Sequence, residues 1–67
     1  MEARVLKKIK ALRQERGLSL EKVSKGVGFT GAHGYWKIER GLTPLTLAML
    51  AKLEEFFGVP EGYFFKD

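Results

Sequence analysis

The chain has 67 residues, 45% of them hydrophobic, with no cysteine and a formal net charge of +4. That length fits a single small domain over residues 1–67, and the lack of thiols excludes a disulfide framework, a thiolate metal site and a cysteine nucleophile. No apolar run reaches the ~18 residues of a membrane span and the charged amino terminus is unlike a signal peptide, so a cytoplasmic protein with no membrane partner is expected.

Helical spacing places a first helix over residues 2–16, with Val5, Ile9 and Leu12 on one face, Leu6 beside them and basic residues around the rest. Gly17 ends it, and Ser19 is suited to cap a second helix whose inner stripe is Leu20, Val23 and Val27. Ser24 is small enough to admit a neighbouring helix. Gly28 supplies the turn, with Phe29 buried beside it. Thr30 is then placed to cap a third helix over residues 30–40, closed by Gly41. Tyr35 and Ile38 point inward on it, leaving Ala32, His33, Trp36 and Lys37 outward.

After a loop at Leu42-Thr43-Pro44, Thr46 caps a fourth helix over residues 47–57. Its buried seam is Leu47, Leu50, Leu53 and Phe57. A fifth short helix starts near Pro60 and carries Tyr63, Phe64 and Phe65. No segment alternates with period two, so the expected fold is all-α, five short helices, with a helix-turn-helix formed by the second and third.

Charge is unevenly spread. Residues 1–41 hold ten Lys/Arg against four Glu, whereas residues 42–67 hold two Lys against four acids. The basic part suits a polyanion, and the acidic part a surface turned away from it. There is no Asn and a single Gln, a shortage shared with heat-adapted proteins.

LRQERGLSLEKVS, GVGF, KIERG and LEEFFGVPEGYFF stand in order along the chain, and through them it resembles the Cro/lambda-repressor-like (XRE-type) helix-turn-helix family. The resemblance runs from about Leu6 to Phe65 and implies a lambda repressor-like DNA-binding domain. Its third helix would enter the major groove of double-stranded DNA. Aligned on Ile38-Glu39-Arg40-Gly41, the base-contacting positions are Ala32, His33 and Lys37, with Trp36 beside them, either packed on neighbouring helices or touching the DNA. Ser19, Lys22, Lys25, Thr30 and Arg40 are the expected phosphate contacts. Arg13 and Glu39 are the expected structural ion pair.

The segment departs from the family pattern by one extra residue between Gly28 and Glu39, and by Gly31 and Gly34 within the expected third helix. Either that helix starts late, or the glycines admit a close neighbour. Phe56, Tyr63, Phe64 and Phe65 form either a homodimer patch or the closure of a small core. The expected function is that of a sequence-specific transcriptional regulator, most simply a repressor acting as a homodimer. The alternative is a protein-interaction module on the same fold, an antitoxin or phage-type regulator binding a toxin or RNA polymerase. One histidine and no cysteine leave no constellation for catalysis or for a two-histidine metal site, so no enzyme, metal or cofactor is expected.

Overall fold

The computed structural model describes residues 2–66 and has no strand among them. Its elements are α1 (Glu2–Glu15), α2 (Leu20–Gly26), α3 (Ala32–Glu39), α4 (Leu47–Phe57) and a 3-10 turn, Tyr63–Phe65. The expected fifth helix is thus a single turn. Gly62 stands left-handed at φ 85°, and the bonds after it run Phe65 N–H to Gly62 O and Lys66 N–H to Tyr63 O. Such i→i+3 bonds hold short pieces only.

One core joins all of these elements. Val5, Ile9 and Leu12 of α1 meet Val23 of α2, Val27 after it and Tyr35 of α3, and α4 adds Leu50, Leu53 and Phe57. Phe64 closes the cluster edge-on to Phe57, at 6.2 Å between ring centres, and is only 2% exposed. It is therefore a core residue and not part of a pairing patch, because the 3-10 turn folds its ring under the chain rather than outward. Leu47 is the opposite case. It leads α4 and is 81% exposed, because the first turn overhangs the core. The buried seam of α4 is Leu50, Leu53, Glu54 and Phe57.

Hydroxyl caps fix two helix starts. Ser19 Oγ accepts from Lys22 N–H at 3.0 Å, and Thr46 Oγ1 accepts from Met49 N–H at 3.1 Å, each satisfying a donor the first turn leaves free. Helix ends are tied across the molecule by side chains. Arg16 donates to the Phe57 carbonyl while its guanidinium lies over the Phe57 ring. The buried Glu54 carboxylate accepts from Gly62 N–H at 2.9 Å and holds the 3-10 turn against α4.

Candidate nucleic-acid interface

α2 and α3 form the most closely packed helix pair, and the turn between them explains the irregular sequence there. Gly28 has φ 109°, which only glycine adopts without strain. α3 begins at Ala32 with Gly31 as its cap position, and no side chain caps it. Thr30 thus lies before the helix, exposed, and does not cap it. The start of α3 is held instead from α2. The fully buried Ser24 hydroxyl donates to the Gly31 carbonyl and accepts from Tyr35 N–H. Gly34 has a separate reason to lack a side chain. A Cβ there would run into the ring of Phe29, which packs flat against the helix backbone.

Tyr35 and Ile38 face the core, so the opposite face of α3 is presented outward. His33, Trp36, Lys37 and Arg40 follow one another at helical spacing on it. His33 stacks on Trp36 with ring centres 5.3 Å apart and planes 17° from parallel, and the Arg40 guanidinium lies 5.3 Å from the Trp36 ring centre. Trp36 is half-buried between the two, while His33, Lys37 and Arg40 are exposed and Ala32 is half-buried at the helix start. The result is a flat aromatic strip flanked by cations. It can stack, donate hydrogen bonds and meet negative charge.

Behind this face lies a buried ion pair. Arg13 of α1 donates from Nε and Nη2 to the two carboxylate oxygens of Glu39, both at 2.9 Å, and from Nη1 to the Leu18 carbonyl. The side chains are 11% and 6% exposed. The hydrogen bonds to the Glu39 carboxylate hold the Arg13 guanidinium above its ordinary pKa. The pair thus locks α1, the start of α2 and the end of α3 in one place, and it neutralises the acid nearest the presented face. Tyr35 occupies the same corner, its hydroxyl without a hydrogen-bond partner among the described residues. Burial first, and then the neighbouring carboxylate, push its phenol far above the usual range.

Ser19, Lys22 and Lys25 are exposed along α2, where Lys25 also pairs with Glu21 at 3.2 Å. The remaining aromatic residues run on from Phe57 and Phe64, with Phe56 edge-on to Phe57 at 5.1 Å and Tyr63 edge-on to Phe64 at 5.3 Å between ring centres. Phe56 is half-buried over Gly26, Tyr63 is half-buried under Lys8, and Phe65 is 53% exposed. Phe65 lines a surface hollow together with Leu47, Leu50 and Ala51. Leu47 and Phe65 thus make one exposed apolar patch, and Leu42, 64% exposed, lies outside this hollow. Sequence spacing gives no sign of this juxtaposition, since Leu47 falls in phase with the buried seam. No group of His, Asp or Glu among the described residues is arranged to hold a metal ion, and no helix among them is long and apolar enough to cross a membrane.

A family model described as helix-turn-helix matches residues 9–64. The cryptic phage CTXphi transcriptional repressor RstR of Vibrio cholerae is 42% identical over 53 residues, which are 79% of this chain and 47% of that protein. The chain therefore spans about half the length of this relative. No solved structure matches it significantly.

Proposed function

The chain belongs to the helix-turn-helix family, in its XRE-type branch, and from that premise we propose that it is a sequence-specific DNA-binding transcriptional repressor. α3 lies in the major groove, and His33, Lys37 and Trp36 meet base edges while Ala32 offers a methyl group. The observation that carries this reading is the outward face of α3, an ordered His33–Trp36–Arg40 stack with Lys37 beside it. Ser19, Lys22, Lys25, Thr30 and Arg40 contact phosphates and set register rather than sequence. The protein works in the cytoplasm, and catalysis has no part in this function.

Selection of bound sites from a random duplex pool tests the assignment. A defined sequence should be enriched, and Lys37→Ala should weaken binding to it about tenfold, the discrimination expected of one donor to a base edge. It should leave non-specific duplex binding nearly unchanged. A pool that stays random for the folded protein would remove DNA reading and favour a protein partner such as a toxin or RNA polymerase.

A lone domain of this size covers few base pairs, which favours a homodimer on half-sites about 34 Å apart. Leu47 and Phe65 are the large exposed apolar side chains that share one hollow, and they make the pairing surface in this reading. Sedimentation on the selected duplex should show two copies per site, and Leu47→Glu should reduce this to one. Two copies bound by the Leu47→Glu protein as tightly as by the wild type would move the interface elsewhere.

A further inference from the structure

A second basic feature borders the presented face but lies on a different helix. Ala3, Leu6, Lys7 and Lys10 of α1 form one wall of a surface hollow of about 440 Å³, and Glu39, Arg40 and Gly41 form the other. Leu6 lies beneath Gly41, so α1 and the carboxyl end of α3 are in direct register there. Lys7 and Lys10 are exposed, and neither has an ion-pair partner among the described residues. The acid in the wall is Glu39, and both of its oxygens are occupied by Arg13. The charged side chains lining the hollow without a counter-charge are therefore three cations, Lys7, Lys10 and Arg40.

Two further facts orient this hollow. Arg40 lies on Trp36, which stacks on His33, so the basic wall continues into the outward face of α3. After Arg40, the rest of the connection from α3 to α4, residues 41–46, contains no Lys or Arg. Positive charge beyond the carboxyl end of α3 thus comes from Arg40 and from α1. Lys7 and Lys10 are one helical turn apart, a spacing at which like charges repel and an anion relieves the strain.

We propose that Lys7 and Lys10, together with Arg40, form a seat for the DNA backbone phosphates that pass the carboxyl end of α3. The proposal rests on the DNA-binding reading above. The seat makes α1 part of the DNA-binding surface, contributing affinity and register but no sequence preference. Lys8 does not share in it, because it does not line this hollow and its ammonium lies over the Tyr63 ring.

The test compares duplex binding at several salt concentrations for the wild type, for K7Q/K10Q and for K52Q/K66Q, which loses the same charge from residues that do not line the hollow. Each phosphate contact contributes roughly 0.9 to the slope of log K against log salt. K7Q/K10Q should flatten the slope by about 1–2 and weaken selected and random duplexes by the same factor. Each single variant should give about half that change, and K52Q/K66Q should keep the wild-type slope. Equal slopes for K7Q/K10Q and K52Q/K66Q overturn the seat while leaving DNA binding intact. A wild-type protein with no salt-dependent duplex binding overturns both.

Discussion

Arg13→Ala and Glu39→Gln should each remove about 3–5 kcal/mol of folding stability, the loss typical when one member of a buried ion pair is left alone. The geometry supports the upper part of that range. Both carboxylate oxygens are engaged at 2.9 Å, both side chains are largely out of solvent, and Arg13 also satisfies the Leu18 carbonyl. Glu39→Gln keeps the shape but leaves the guanidinium without its counter-charge. Arg13→Ala is the harsher change, because it strands the Glu39 carboxylate and also takes the donor from the Leu18 carbonyl. A domain of this length has only about 3–10 kcal/mol in total, so either single variant should be at or near unfolding at room temperature. Thermal melts followed by circular dichroism should fall by more than about 12 °C. A double replacement by apolar residues, Arg13→Met with Glu39→Leu, should recover most of the loss, because what destabilises is the unpaired charge and not the absent bridge. Single variants melting within a few degrees of the wild type would show that the pair contributes nothing to the lock.

That pair illustrates which parts of the fold the sequence discloses. The stripe of Val5, Ile9 and Leu12, the hydroxyls of Ser19 and Thr46 and the turn at Gly28 are local signals, each set by residues a few positions apart. Spacing reads them directly. The outward set on α3 is legible in the same way, since Tyr35 and Ile38 fix which face is inward. What spacing does not carry is contact across a turn or between helices. Ser24 reads as a small residue that admits a neighbour, yet its hydroxyl pins the start of α3. Leu47 is in phase with a buried seam and is exposed because the core does not extend under it. Phe64 reads as one of a row of aromatic residues, and only the folding of the 3-10 turn separates it from Phe65. The hollow shared by Lys7, Lys10 and Arg40 joins residues some thirty positions apart, beyond the reach of any periodicity.

Gly34 is where local and long-range logic oppose each other most directly, and Gly34→Val should destabilise the domain by about 2–3 kcal/mol. Helix propensity alone predicts a small gain, since glycine is among the weakest helix formers. Packing decides against it. The Phe29 ring lies where any Cβ would be, and Phe29 is itself packed against the core, so the two side chains cannot both keep their places. The displaced ring would push the start of α3 away from Ser24 and tilt the outward face. Weaker duplex binding should therefore accompany lower stability. On a Phe29→Ala background the space is free, and Gly34→Val should change stability by less than about 1 kcal/mol, a coupling of about 2 kcal/mol between the two positions. Denaturant titration of the four proteins in this cycle measures it. Additive effects would mean that Gly34 is free of Phe29 and that the glycine serves only the backbone. A coupling of the expected size makes the ring-on-glycine contact the reason that α3 contains a glycine in its first turn.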